Sequence, residues 1–358
     1  MRDTASPFHA ENLSIEAFLK QSEQWSSNVL GALCFDSKAL ESQMLTDLDI
    51  PWVSVPMPQL DTTKSSCEVW FGSGSVTQGR CGDIHYRYDD GVLFGVITLA
   101  EKLFATSGDK TPLQQATESA YHQVFSLLDT QRFPYLFRFW NYMADINHHS
   151  FGLERYQQFN RGRQDAFLAH GRDVVGNVPA ACALGFGQEN IVQGPLTIAF
   201  LAGREVPLSI ENPRQISACL YPPQYGPRSP TFSRASLVRM GNDQVLFVSG
   251  TASIVGHATL HAGDVVAQAS ETMANIEAVL AEVNRHAIAP GFNLSNLSYR
   301  VYVRHAADLE PIRNELTHFV GGPTKAIYLQ AVVCRQDLLL EIEATAIHPS
   351  AFVTGQAI

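Results

Sequence analysis

One order of elements occurs twice along this chain, and a repeat of that length constrains a fold more than any single motif. From Cys81 the stretch CGDIHYRYDDGVLFGVITL predicts two strands joined by an Asp-Asp-Gly turn. Apolar residues at Leu113, Ala116, Ala120, Val124, Leu127 and Leu128 then mark one face of a helix over 112–130. PYLFRFWNYM (134–143) is strand-like, a helix follows over about 153–170, and TIAFLAG (197–203) and QISACLYP (215–222) are two further strands. The order is β-β-α-β-α-β-β.

The second half repeats it. QVLFVS (244–249) is a strand, with TASIVGHATLH (251–261) its expected partner. Asp264 is placed to cap a helix whose apolar positions are Val266, Ala269, Met273, Ile276, Leu280 and Val283. LSYRVYVR (297–304) alternates, with Tyr299, Val301 and Val303 on one face and Arg300, Tyr302 and Arg304 on the other. A helix over 308–319 precedes the strands KAIYLQAVV (325–333) and LLLEIEATA (338–346). The pattern predicts an α+β protein of two pseudo-duplicated units, each a mixed sheet covered on one face by two helices. The division is expected in the proline-rich segment YPPQYGPRSPTFSRA (221–235), giving an N-terminal unit 1–225 and a C-terminal unit 226–358. The first 80 or so residues lack the period and are expected to wrap irregularly around the first unit.

Composition narrows the function. Hydrophobic residues are 45% and charged residues 17% of the 358, enough apolar material for a large core. Lys+Arg 25 against Asp+Glu 35 leaves a net charge of −10, which argues against nucleic-acid or anionic-membrane partners. No run approaches the ~18 apolar residues of a membrane span, and MRDTASPFHAENLS lacks the pattern of a secretory signal. The six scattered cysteines form no CxxC pair, so reduced thiols and a cytoplasmic location are expected. GSGSVTQG (72–79) lacks the third glycine of a dinucleotide loop, and His257 and His261 have no evident third ligand. No cofactor and no metal are expected.

The residues also carry a resemblance. LFVSGTASIVGHATLHAGDVVAQASETMANIEAVLAEVN, YRVYVR and LLLEIEATA resemble the RidA (YjgF-like) family over about residues 243–347, a chorismate-mutase-like fold. With YQQFNRGR, ENPRQISACLYPPQYGP and CRQDLLLEIEA, the chain resembles the chorismatases over about 130–347. Those are two-unit RidA-like enzymes that remove pyruvate from chorismate. RidA proteins are trimers with sites between subunits, so the analogy puts this site between or at the edge of the two units of one chain, in a monomer or small homo-oligomer.

Glu341 and Glu343 share a strand face opposite Leu338, Leu340 and Ile342. On spacing alone this is equally an exposed acidic face. The resemblance implies that Glu341 faces the ligand as general acid, protonating the enolpyruvyl methylene, with Glu343 a neighbour. Cys334, seven residues earlier, together with Gly250, resembles the 3-hydroxybenzoate-forming type, and both are expected to steer the product. A methyl group added at Gly250 is expected to fill space beside the ring and leave Glu341 untouched. Tyr156, Asn160 and Arg163 share a helix face. Arg163 is the candidate carboxylate ligand, with Tyr156 beside it. Tyr225, Arg228, Arg304 and Lys325 complete the substrate-binding candidates, because a dianion needs at least two cations. The expected activity is cleavage of chorismate to pyruvate and 3-hydroxybenzoate. The alternatives are hydrolysis to a dihydroxycyclohexadiene carboxylate, 4-hydroxybenzoate as co-product, a RidA-like enamine or imine deaminase, and a non-catalytic binder.

Overall fold

The computed structural model describes residues 8–19, 27–35, 49–62, 66–106, 108–187, 194–288 and 291–349. Its two large sheets match strand for strand. The first runs, edge to edge, Thr77–Cys81, Ile84–Tyr88, Val92–Ala100, Pro195–Gly203, Tyr135–Ala144, Ala180–Phe186. The second runs Leu208–Ile210, Ala235–Met240, Asp243–Thr251, Leu340–Pro349, Ser298–Val303, Lys325–Gln330. In each, the last two strands are the parallel pair and the rest are antiparallel. The α+β duplication expected from the pattern is therefore present.

Three strand assignments differ. AACALGF (180–186) is the fifth strand of the first large sheet in chain order, and 215–222 is not a strand but contains a 3₁₀ turn, Ala218–Leu220. Ala180–Phe186 is buried at every position, so it shows no alternation to read. The second unit opens with Ala235–Met240, while 251–261 holds only the two-residue strands Ile254–Val255 and Ala258–Thr259, turned at Gly256 (φ 60°). Leu208–Ile210 already pairs with Ala235–Met240. The crossing between sheets thus falls at 204–207, ahead of the expected 225/226 division, and the proline-rich segment is left as a loop.

The helices form where the apolar periodicity placed them. Thr111 caps Pro112–Gln131, its Oγ1 accepting from Gln114 N at 3.2 Å, and Asp264 caps Val265–Asn284, accepting from Ala267 N at 3.0 Å. The first of these and Arg155–Ala169 cover one face of the first sheet; Val265–Asn284 and Leu309–Val320 cover one face of the second. Tyr299, Val301 and Val303 lie under the helices, and Tyr302 points the other way.

The uncovered faces of both sheets meet a third sheet. The described residues before 72 are not an irregular wrap: His9–Ser14, Ser66–Phe71, Val29–Phe35 and Trp52–Val55 form a four-stranded sheet in that order. Its Trp70, 1% exposed, sits 5.7 Å from Trp140 of the first sheet and 6.0 Å from Phe247 of the second. Truncating a core tryptophan costs about 3–5 kcal/mol, so this sheet is part of the fold and no appendage. The antiparallel register sets Cys34 opposite Cys67, Cα atoms 4.1 Å apart, and the two form a disulfide. The expectation of six unpaired thiols is corrected, and with it goes that argument for a cytoplasmic location. Among the described residues no helix is long and apolar enough to cross a membrane.

The edge strand Ala180–Phe186 bonds to the second unit at both ends. Gly185 N donates to Val332 O (2.7 Å) and Val332 N to Gly185 O (2.9 Å), while Ser233 N donates to Pro179 O (3.0 Å) and Ala181 N to Ser249 Oγ (2.9 Å). These bonds frame the cavity.

Candidate active site

A cavity of about 420 Å³, the size of a small-molecule site, lies where that edge strand meets the second unit. Tyr156 and Arg163 reach it from the helix Arg155–Ala169, Gly250 from the strand Asp243–Thr251, Tyr225 from the proline-rich loop, and Cys334 and Glu341 from the end of the second sheet. Six of the nine residues singled out from sequence thus share one cavity.

Glu341 is 4% exposed. Its strand is covered on both faces, one by helices and the other by the first unit, so the acidic face is buried rather than solvated. Burial, and then the charge of Glu343, push its carboxyl up to about 8, so it holds a proton at neutral pH. The Cys334 thiol lies 3.9 Å from its Oε2. Glu343 has the opposite fate. Arg138 pairs with its Oε2 and Arg300 donates to Oε1 at 2.5 Å, while Trp140 Nε1 and Tyr302 OH donate to Oε1 at 3.2 Å. The two guanidinium groups overcome burial and hold Glu343 below the usual carboxylate range. Two carboxyls two residues apart therefore differ in charge, the pattern by which sites separate acid from base.

Gly250 gives Glu341 its place. A Cβ there would overlap Glu341 Oε1 and come within 2.7 Å of its Cδ. The expectation that an added methyl leaves the acid untouched is wrong, because the methyl and the carboxyl would occupy the same space. Gly250→Ala is accordingly expected to displace the carboxyl by about an ångström and to lower any turnover that depends on it by ~10–10²-fold. A steady-state assay alongside a thermal melt checks this; unchanged turnover in a folded variant would mean the carboxyl can move freely.

Arg163, 2% exposed, donates to Asn160 Oδ1 (2.8 Å) and lies over the Phe159 ring, with its Nε unpartnered. Arg234, 4% exposed, donates to Ile216 O (2.9 Å) and Tyr221 OH (3.0 Å) and also has an unpartnered Nε. Arg335 donates to His257 O (2.9 Å) and packs on Tyr225, 4.3 Å from the ring centre. None of the three has an acidic partner within ion-pair distance among the described residues. A buried guanidinium without a carboxylate is costly, and a cavity edged by such groups suits an anionic ligand.

Three expected ligands lie elsewhere. Arg228 is 44% exposed and paired to Asp165 at 3.0 Å. Arg304 spends its guanidinium on the carbonyls of Leu338, Val333 and Arg335, pinning the chain that carries Cys334. Lys325 is exposed at the start of its strand. Arg234 and Arg335 line the cavity instead, and their only sequence signal was a place in the proline-rich segment and next to Cys334. Glu154, half-buried and raised by desolvation, is a further acid on the cavity wall. Burial pushes the Cys334 thiol up to about 12, so it is a thiol and not a thiolate nucleophile.

A protonated carboxylic acid in one cavity with arginines that form no direct ion pair, in a pocket built by two fused α+β units, defines a site that can deliver a proton to a small anionic molecule. Residues 68–202 match the family described as "Chorismatase FkbO/Hyg5-like, N-terminal". A chorismatase of Streptomyces rapamycinicus is 35% identical over 287 residues, 78% of this chain and 82% of the relative. A 3-hydroxybenzoate synthase of Streptomyces hygroscopicus is 36% identical over 293 residues, covering 79% and 82%. A crystal structure of a chorismatase superimposes with a TM-score of 0.80 at 29% identity, covering 95% of this chain and 98% of that one. The chain belongs to the chorismatase family.

Proposed function

We propose that this protein cleaves chorismate to pyruvate and 3-hydroxybenzoate, with Glu341 as the proton donor. The observation that carries the reading is a buried carboxyl, protonated at neutral pH, in the same cavity as Arg163 and Arg234. Chorismate is a dianion, and each carboxylate needs a cation once it leaves water. Protonating the enolpyruvyl methylene turns it into a methyl group and makes the adjacent carbon, which bears the ether oxygen, the oxocarbenium centre. The ring C–O bond then breaks with its electron pair going to pyruvate's new carbonyl, while the neighbouring ring hydroxyl oxygen bonds to the vacated ring carbon. Cleavage of that oxygen's original C–O bond and loss of the hydrogen there as a proton give 3-hydroxybenzoate. Pyruvate and 3-hydroxybenzoic acid together hold all the atoms of chorismic acid, so the net step takes up neither water nor electrons. Gly250 and Cys334 line the cavity next to the acid, and the pair matches the pattern of the 3-hydroxybenzoate-forming type, which favours the aromatic product over the diene diol.

Incubation with chorismate, following pyruvate by a coupled assay and products by chromatography, tests this. The expected result is equimolar pyruvate and 3-hydroxybenzoate. Diene diol in its place would make the protein a hydrolase, and absence of pyruvate would discard the reading for a deaminase or binder. The active form carries a proton on Glu341, so kcat/KM is expected to be level below the acid's pKa and to fall tenfold per pH unit above about 8. A profile still rising through pH 9 would exclude Glu341 as the donor.

A further inference from the structure

The four-stranded N-terminal sheet contributes no residue to the cavity, yet it is wired to it. Glu68, on the strand Ser66–Phe71, accepts from Arg300 Nη2 at 2.5 Å and from Trp70 Nε1 at 2.9 Å. The same guanidinium donates from Nη1 to Glu343 Oε1 at 2.5 Å, and Glu343 is held from its other side by Arg138. Glu68, Arg300, Glu343 and Arg138 form one chain of alternating charge through the central core, and its side chains are 17%, 4%, 6% and 2% exposed. With all four ionised the cluster is neutral, two charges of each sign. Glu343 is two residues from Glu341 on the same strand face.

We propose that Glu68 is a positioning residue of the N-terminal sheet that acts through Arg300 and Glu343 to keep the Glu341 acid protonated. The inference rests on the reading of Glu341 as proton donor. The physical reason is that Arg300 divides its charge between two carboxylates. Neutralising Glu68 would leave a buried arginine with Glu343 alone, so the cluster around Glu341 would gain one positive charge, and a positive charge favours the carboxylate form. The groups facing Glu341 are Glu343 on its own strand, Arg138, Cys182, Cys334 and Tyr156. Those facing Glu343 also include Trp140, Tyr142, Arg300 and Tyr302. The cysteines and tyrosines in both sets are neutral, their ionisation pushed up by burial, so the balance is set by the two arginines and the carboxylates.

The test is the pH profile of pyruvate release from chorismate by the full chain, measured for wild type, Glu68→Gln, Glu68→Asp and Glu343→Gln, each checked by thermal melt. Glu68→Gln keeps an acceptor for Trp70 and removes only the charge. Its alkaline limb is expected to move to lower pH by roughly half to one unit, a roughly three- to tenfold loss of kcat/KM above the limb and little below it. Glu68→Asp should return the limb toward wild type, and Glu343→Gln should move it further in the same direction. A merely structural Glu68 would scale activity equally at every pH and leave the limb in place, which overturns the proposal. If Glu343→Gln does not fold, the Glu68 pair decides alone. A wild type without pyruvate release, or Glu341→Gln with full turnover, would fault the activity reading instead. Infrared titration of the Glu341 carboxylic-acid band, identified against Glu341→Gln, reads the same shift without turnover; an unmoved band in Glu68→Gln also overturns the proposal.

Discussion

Glu341→Gln is expected to lower pyruvate release by ~10²–10⁴-fold while a non-reactive chorismate analogue still binds within a few-fold of wild type. Glutamine matches the carboxyl in shape and can still donate a hydrogen bond, so the steric frame made by Gly250 is kept. It has no transferable proton. Because Glu341 is protonated at neutral pH, the substitution removes no charge from the core, and the variant should melt within a few degrees of wild type. Single-turnover kinetics and a binding titration separate the two effects. Turnover within a factor of a few of wild type would remove Glu341 from the acid role.

The second large effect concerns charge without an acidic partner. Arg163→Met is expected to lower kcat/KM by ~10²–10³-fold, mainly through KM, because a substrate carboxylate would be left desolvated and unpaired. The apolar side chain would fit against Phe159, over which the guanidinium now lies 5.0 Å from the ring centre. Since a buried cation with no carboxylate is itself unfavourable, the variant should hold or raise the melting temperature. That sign distinguishes a ligand-binding arginine from a structural one, whose loss lowers both. Arg228→Met, at an exposed ion pair outside the cavity, is the control and should change kcat/KM by no more than about twofold. Equal losses at Arg163 and Arg228 would mean that the anion binds elsewhere.

Much of this site was legible in the sequence, and what escaped did so for definable reasons. Glu341 stands out because Leu340 and Ile342 alternate with it, and Asp264 marks a helix start by its side-chain chemistry. Whether the acidic face is wet or dry is not encoded in that alternation. It is decided by a second sheet more than a hundred residues away, where Arg138 meets Glu343. Ala180–Phe186 escaped because a strand buried on both faces has no period. Arg304 was misplaced because its strand face points the right way, yet its guanidinium is consumed by three carbonyls of a neighbouring turn, a tertiary fact. Arg228 and Arg234 sit in one loop, and only the folded chain shows which of them turns inward.

The backbone bonds between Ala180–Phe186 and the second unit have a thermodynamic consequence. The described cavity walls come from two units of one polypeptide, so the entropy of bringing those two units together is met once, during folding, and not at each encounter of separate subunits. A site divided between chains empties of function as it is diluted below its association constant. Here the second unit is present beside the first at a fixed effective concentration set by the covalent chain, whatever the concentration of the protein.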